Sequence, residues 1–259
     1  MKYFVIDVFT DKLFGGNPAG VCLLESWLDD AVMQNIAMEN NLAETAFLVR
    51  EDKSAYGLRW FTPEVEIDLC GHATLASAFV LMNEVRAVSD TVDFHTQSGT
   101  LTVTKNGDIF TMDFPTRAPV RCDVPQLLEQ ALGASVLETH MSRDLLVLLN
   151  SEDAVRHLRP DFALLRQIDN VFAIIVTAKG TDCDFVSRFF APGAGILEDP
   201  VTGSSHCTLI PFWSGRLGKQ RMTARQLSAR GGSLLCEDCG ERVKIGGTAV
   251  CYLRGEISL

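Results

Sequence analysis

The feature that most constrains the fold is a pattern that occurs twice, half a chain apart. Residues 59–63 (RWFTP) precede 70–72 (CGH), and residues 188–192 (RFFAP) precede 202–204 (TGS). The two arginines lie 129 residues apart in a chain of 259. In each copy a predicted strand ends in Phe-x-Pro, a loop follows, and a glycine with a polar neighbour opens an apolar helix. The repetition predicts two copies of one α/β unit, although short strand-loop-helix pieces also resemble one another by chance.

The hydrophobic pattern divides the chain near Pro115. We expect an N-terminal domain at residues 1–114, completed by a strand at 250–259, and a C-terminal domain at 115–249. Residues 71–82 are predicted to form a helix that is buried on all sides. A second helix is predicted after Gly203, and Pro211 is expected to break or kink it.

Composition limits the classes of partner. The chain has 23 basic and 33 acidic residues, a net charge of −10, which argues against nucleic-acid binding. No secretory h-region and no run of about 18 apolar residues is present, so we expect a cytoplasmic protein without a membrane partner. Most of the eight cysteines lie in apolar runs and are predicted to be free buried thiols.

The two predicted helix starts are candidate substrate-binding positions. Gly71 and His72 begin the first helix, and Gly203 and Ser204 begin the second, directly after Thr202. A helix N-terminus presents unpaired N–H groups, and glycine lets a ligand approach the backbone. As a matched pair they predict a carboxylate site in a cleft between the two halves. Taken singly, each is better explained as an ordinary helix cap.

Three side chains are candidates for proton chemistry. Glu44 lies between a predicted helix and an apolar strand, where apolar neighbours would favour its protonated form and suit a general acid/base. His72 would donate a hydrogen bond or pass on a proton, and Asp199 would hold a substrate amine or hydroxyl. The alternatives remain a solvent-facing charge for Glu44, a structural hydrogen bond for His72 and a loop contact for Asp199.

The remaining motifs predict no metal and no cofactor. Cys236 and Cys239 form a lone CxxC between two predicted strands, and a zinc site usually needs a second pair. We interpret it as a hairpin turn, and a thiol or metal protein built on it is the weaker alternative. Residues 15–20 (GGNPAG) lack the Lys-Ser/Thr of a P-loop, and a strand follows them. No dinucleotide-binding fingerprint or serine elbow is present.

Several of these segments together resemble one known family. They keep their order along the chain and are 5–10 (VIDVFT), 16–21 (GNPAGV), 44–47 (ETAF), 59–63 (RWFTP), 70–74 (CGHAT), 190–192 (FAP) and 198–204 (EDPVTGS). The set resembles the PhzF-like family of phenazine biosynthesis, which is related to diaminopimelate epimerase. Each segment alone is weak evidence for the family, whereas the whole set in this order is specific to it.

The resemblance implies a fold and an activity. The fold is α/β (α+β), with two similar pseudo-symmetric domains, each a barrel-like β-sheet around a central helix, and usually a homodimer. The activity is a cofactor-independent isomerisation of a small, cyclic carboxylate such as dihydro-hydroxyanthranilate. By resemblance Glu44 shuttles the proton, while His72, Asp199 and Ser204 assist or hold the substrate.

The sequence departs from the pattern of the family and its relatives at two positions, and these differences leave other functions open. Ala43 stands where a serine often precedes the catalytic glutamate. Related racemases use two facing cysteines; Cys70 matches the first, but Thr202 stands at the second, so Cys70 is expected to be a small apolar neighbour of the site. A silent small-anion binding protein and a racemase or epimerase of a small amino acid remain the alternatives.

Overall fold

The computed structural model describes residues 1–259. Its strands are β1 (Lys2–Val8), β2 (Asn17–Leu24), β3 (Glu44–Arg50), β4 (Ala55–Phe61), β5 (Glu66–Ile67), β6 (Thr91–Thr96), β7 (Gly99–Asn106), β8 (Ile109–Pro115), β9 (Val120–Cys122), β10 (Glu138–Met141), β11 (Leu145–Leu148), β12 (Ile174–Lys179), β13 (Phe185–Ala191), β14 (Ile196–Asp199), β15 (Arg221–Gln226), β16 (Gly232–Asp238), β17 (Arg242–Gly247) and β18 (Ala249–Glu256). Its helices are α1 (Asp30–Asn40), α2 (Gly71–Phe79), α3 (Leu128–Leu132), α4 (Glu152–Arg156), α5 (Phe162–Leu165) and α6 (Gly203–Leu217). None of these helices combines the length and the apolar character that crossing a bilayer requires.

The chain forms two compact units. Unit 1 comprises Met1–Asp113 and Gly246–Leu259, and unit 2 comprises Phe114–Ile245. Each unit is built on its own strands and has its own long apolar helix, α2 in unit 1 and α6 in unit 2.

In unit 1 the strands run in the order β18-β1-β2-β3-β4-β6-β7-β8. The steps β2–β3 and β4–β6 are parallel, and the others are antiparallel. Helix α2 contacts β18, β1, β2, β3 and β7, so the sheet curves around it. Every side chain from His72 to Phe79 is buried, which is why this helix is apolar on all faces.

Unit 2 repeats this arrangement. Its strands run in the order β9-β10-β11-β12-β13-β15-β16, with parallel steps at β11–β12 and β13–β15. Helix α6 packs on β15 and β16. The six steps between these seven strands match the first six steps of unit 1 in their order of parallel and antiparallel pairing, so the repetition predicted from the sequence is confirmed in the topology.

The arginine of each repeated motif forms the same ion pair. Arg59 donates from Nε and Nη2 to the two carboxylate oxygens of Glu66, at 2.7 and 2.6 Å. Arg188 donates in the same way to Glu198, at 2.7 and 2.9 Å. Each guanidinium also lies over the phenylalanine ring two residues further on, at 5.3 and 5.0 Å from the centroid. The motif therefore fixes a strand to the short strand that follows it, β5 or β14.

Of the two effects expected of Pro211, a break is wrong, because α6 continues from Gly203 to Leu217, and a kink stays a prediction. Proline has no N–H to donate to the carbonyl four residues earlier, which here belongs to Cys207. The backbone N–H of Arg117 donates to that carbonyl at 2.9 Å instead. The helix tolerates proline because a neighbouring segment supplies the missing donor.

Candidate active site

Unit 1 brings two of the predicted site residues into contact. Glu44 is the first residue of β3, and His72 is the second residue of α2. His72 Nε2 lies 3.0 Å from Glu44 Oε2, and the two side chains are only 8% and 14% exposed. The pair is therefore a buried acid–base contact.

The other ring nitrogen of His72 faces two further side chains. Asn17 Nδ2 lies 3.4 Å from His72 Nδ1, and Cys70 Sγ lies 3.6 Å from the same atom. An amide N–H donates to a neutral Nδ1, which places the imidazole proton on Nε2. A doubly protonated ring carries a hydrogen there as well. In both states Nε2–H faces Glu44.

The charges of this cluster follow from burial and contact. Burial opposes a charge on His72, but Cys70 and Glu44 outweigh burial and hold the pKa of His72 well above 6.5. Burial, followed by the proximity of Glu44, raises the pKa of the Cys70 thiol.

Asn17 belongs to the site and was not a sequence candidate. It is fully buried and follows Gly16, whose φ is +63°. A Cβ on Gly16 would lie 2.1 Å from the carbonyl oxygen of Val8, so only glycine allows the turn that delivers Asn17 to His72. A buried asparagine within a glycine turn is the sequence signal that would have found it.

The predicted residues of unit 2 form a hydrogen-bonded loop before α6. The Thr202 hydroxyl donates to Asp199 Oδ2. Gln226 Oε1 accepts from Thr202 N–H at 2.9 Å, and Gln226 Nε2 donates to the Asp199 carbonyl at 2.8 Å and to Thr202 Oγ1 at 3.2 Å. Both polar groups of Thr202 are thus engaged within the protein, and a substrate would have to compete for them. The geometry makes Thr202 a support for Asp199.

Gln226 was also not among the residues predicted from the sequence, although the alternation of buried residues along β15 indicates it. Along β15, Met222, Ala224 and Gln226 alternate inward as buried residues. A glutamine at an inward position of an alternating strand needs buried hydrogen-bond partners. Here those partners are the residues of the Asp199–Thr202 loop.

The start of α6 is open and lies near a cation. A Cβ placed on Gly203 would meet no atom within 4 Å. Ser204 is half-buried, and its Oγ lies 3.5 Å from Arg143 Nη2. Arg143 also donates to both oxygens of the buried Asp144, at 2.9 and 2.6 Å. The helix start therefore combines free backbone N–H groups with one guanidinium, a combination that suits a carboxylate.

The predicted site residues thus fall into two groups. Gly71, which begins α2, shares unit 1 with Glu44 and His72. The group in unit 2 consists of Asp199, Thr202, Gly203 and Ser204. That the two groups serve one substrate stays a prediction.

His206, in the second turn of α6, makes the stability of unit 2 depend on pH. It is fully buried, its Nδ1 donates to the Thr202 carbonyl at 2.8 Å, and its Nε2 has no partner. Burial, partly offset by the Thr202 hydrogen bond, lowers its pKa from 6.5 to about 4. Above pH 6.5 the ring is neutral in both states. Between pH 6.5 and 4 only the unfolded chain takes up the proton, so His206 lowers the free energy of unfolding by up to about 3 kcal/mol as the pH falls.

We therefore expect His206→Asn to lose less stability than wild type between pH 7.5 and 4.5. Asparagine keeps a donor for the Thr202 carbonyl but does not titrate. Urea unfolding at several pH values measures the difference, and the comparison cancels the carboxylates that titrate in both proteins. Equal pH slopes for the two proteins would contradict the assignment to His206.

The lone CxxC spans the end of β16 and the turn that follows it. Cys236 is buried in β16, whereas Cys239 is exposed in the turn before β17. Burial, reinforced by Asp184 and two neighbouring thiols, raises the pKa of Cys236. One buried, protonated thiol and one exposed thiol do not match a shared metal or redox site, and the hairpin interpretation is confirmed.

Comparison with known proteins shows which family shares this sequence and fold. The family model for phenazine biosynthesis-like proteins (PhzC-PhzF) matches residues 6–255. An uncharacterized isomerase of Pseudomonas aeruginosa is 49% identical over 259 residues, covering 100% of this chain and 99% of the relative. The crystal structure of a PhzF-family protein from Enterococcus faecalis has a TM-score of 0.97 at 50% identity and covers 100% and 99% of the two chains. A hydroxyproline epimerase from Agrobacterium vitis shares the fold alone, with a TM-score of 0.65 at 9% identity over 98% and 91%.

Fold and relatives together define the class of protein, an isomerase with the diaminopimelate epimerase-like fold. The chain belongs to the phenazine biosynthesis-like, or PhzF-like, family.

Proposed function

We propose that this isomerase moves a proton between two carbon atoms of a small carboxylate, with Glu44 as the acid/base. The observation that carries the proposal is the buried contact of Glu44 Oε2 with His72 Nε2 at 3.0 Å. A base must be ionised before it can take a proton, and a positively charged imidazole ring beside a carboxylate favours that form.

The proposed reaction balances without an oxidant or a cofactor. The Glu44 carboxylate takes a proton from one carbon, which leaves a delocalised anion on the substrate. The carboxyl proton of the neutral Glu44 exchanges with solvent, and Glu44 then gives a proton to a different carbon of the same anion. His72 stays positively charged and stabilises Glu44 whenever the carboxylate is free.

A small carboxylate is the proposed substrate class. The open start of α6 at Gly203, Ser204 Oγ and the Arg143 guanidinium support it, since all three favour an anionic group. Asp199 would hold a polar group of the substrate, and Gly71 would offer its N–H. A cyclic ring, a cleft between domains, a homodimer, a cytoplasmic location and a biosynthetic role rest on resemblance to the family and stay predictions.

Epimerisation of a small amino acid is the second candidate function. The presence of an epimerase among the structures with this fold favours it. The two reactions differ only in the return of the proton, to a different carbon in isomerisation and to the opposite face of the same carbon in epimerisation.

The test is incorporation of solvent deuterium, followed by mass spectrometry. A panel of small cyclic and amino carboxylates, including dihydro-hydroxyanthranilate, is incubated in D₂O with wild type and with Glu44→Gln. We expect label with wild type and its loss in the variant, and the labelled carbon separates isomerisation from epimerisation. Label that persists in Glu44→Gln would reject Glu44 as the acid/base. No label in any compound would favour a binding protein.

Unit 1 offers a matched control for this variant. Glu51 Oε2 contacts His95 Nδ1 at 2.5 Å, but the two side chains are 42% and 50% exposed. Glu51→Gln removes the same charge from the same kind of pair at the surface. We expect it to exchange label as wild type does.

A further inference from the structure

Helix α6 begins without the side-chain cap that its sequence offers. Thr202 is the N-cap residue and has the extended backbone typical of that position, with φ −107° and ψ 100°. A threonine there ordinarily accepts a hydrogen bond from the N–H of the second or third helical residue. The Thr202 side chain makes no such bond. The N–H groups of Ser204 and Ser205 are therefore left without the Thr202 hydroxyl as their acceptor.

Two neighbours hold the Thr202 hydroxyl away from the helix. It donates its hydrogen to Asp199 Oδ2, and its oxygen accepts from Gln226 Nε2 at 3.2 Å. The backbone determines the orientation of the Gln226 amide. Oε1 faces the Thr202 N–H at 2.9 Å, which can only donate, and Nε2 faces the Asp199 carbonyl at 2.8 Å, which can only accept. The amide is thus oriented so that its N–H group reaches the hydroxyl.

Gln226 can hold this arrangement because the segment around it is itself fixed. It is the last residue of β15 and only 1% exposed. Ser228, two residues further on, donates from Oγ to the Pro200 carbonyl at 2.8 Å. The Thr202 carbonyl accepts from His206 Nδ1 at 2.8 Å. The Thr202 backbone is held on both sides, so the rotamer of its side chain decides whether α6 is capped.

We propose that Gln226 is a positioning residue that keeps the start of α6 open for the substrate carboxylate. By holding the Thr202 hydroxyl beside Asp199, it prevents that hydroxyl from occupying the helix N–H groups that the carboxylate would bind. Without Gln226 the hydroxyl can rotate and cap the helix, and the substrate then has to displace it. This role rests on the proposed function, because the ligand that gains from it is the substrate.

Deuterium exchange by Gln226→Met tests this role, with the panel compound that wild type labels. Methionine matches the length of glutamine but offers no N–H donor. We expect KM to rise by about fivefold or more, the equivalent of one threonine cap, while the rate at saturating substrate stays within about twofold. Thr202→Val removes the hydroxyl that would cap the helix. Added to Gln226→Met, it should lower KM again, toward that of Thr202→Val alone.

Amide hydrogen exchange at the start of α6 follows the cap without any substrate. We expect the N–H groups of Ser204 and Ser205 to exchange more slowly in Gln226→Met than in wild type, and the double variant to lose that protection. Gln226→Asn, whose shorter amide cannot reach all of its partners, should behave in the same way and replaces Gln226→Met if methionine prevents folding. Gln34 of α1 donates to the Thr62 carbonyl at 2.8 Å, so Gln34→Met is a matched control that should change neither measurement.

Two results would overturn the role of Gln226. One is a folded Gln226→Met protein with the KM of wild type, while exchange still depends on Glu44; this rejects the role alone. The other is a rise in KM that Thr202→Val does not reverse, which would mean that Gln226 only supports the fold. No label with wild type would reject the proposed function, and the amide exchange of Ser204 and Ser205 then still decides whether Gln226 holds the hydroxyl off the helix.

Discussion

Glu44→Gln and His72→Asn should each slow solvent-deuterium exchange by about 10²–10⁴-fold, and the double variant should be no slower than the slower single one. Glutamine removes the proton acceptor while keeping the size of the side chain. Asparagine at position 72 removes Nε2, the atom that lies 3.0 Å from Glu44. Because the two groups act as one acid–base unit, a variant that lacks either group has already lost the activity of the pair. The second substitution should therefore slow the exchange little further.

A second substitution at His72 separates charge from hydrogen bonding. His72→Gln keeps an N–H near the position of Nε2 but carries no charge. We expect its exchange rate to lie between those of wild type and His72→Asn, because a neutral donor stabilises the carboxylate less than an imidazolium does. Initial rates of label uptake at saturating substrate are measured for wild type and for the four variants. Effects of the two single variants that multiply in the double variant would show that Glu44 and His72 act independently.

The sequence predicts those parts of the molecule that local pattern determines. Helices α2 and α6 begin at Gly71 and Gly203, as predicted from a glycine with a polar neighbour at the start of a largely apolar segment. The repeat of strand, loop and helix is visible because both units bury a helix against a curved sheet. With these motifs in order, the family, the fold class and the isomerase class are confirmed.

The partners of the site residues depend on contacts between distant segments, which local pattern does not encode. His72 meets Asn17 across 55 residues of chain, and Thr202 meets Gln226 across 24. Cys70 was expected to be an apolar neighbour, yet the first turn of α2 directs its sulfur at the imidazole. Pro211 fails as a helix breaker for the same reason, since the donor that compensates for it comes from Arg117.

Arg188→Ala should destabilise unit 2 by about 3–5 kcal/mol, the largest stability effect we expect from a single substitution. The Arg188 side chain is 11% exposed and that of its partner Glu198 is 22% exposed. Arg188 Nη1 also donates to the carbonyls of Val155 and Leu158, at 3.3 and 2.9 Å. Removing the guanidinium leaves a half-buried carboxylate and two buried carbonyls without their donors, and each of these groups costs free energy.

Urea unfolding of Arg188→Ala measures this loss, with Arg221→Ala as the control. Arg221 pairs with Glu237 at 3.0 Å, but its side chain is 84% exposed, so water replaces the lost partner and the stability should stay close to that of wild type. Arg188→Lys tests the geometry separately. Lysine keeps the charge but cannot donate to both oxygens of Glu198 and to two carbonyls at once, so it should recover less than half of the loss. Equal losses for Arg188→Ala and Arg221→Ala would mean that the repeated arginine is a surface feature and that burial does not set its contribution.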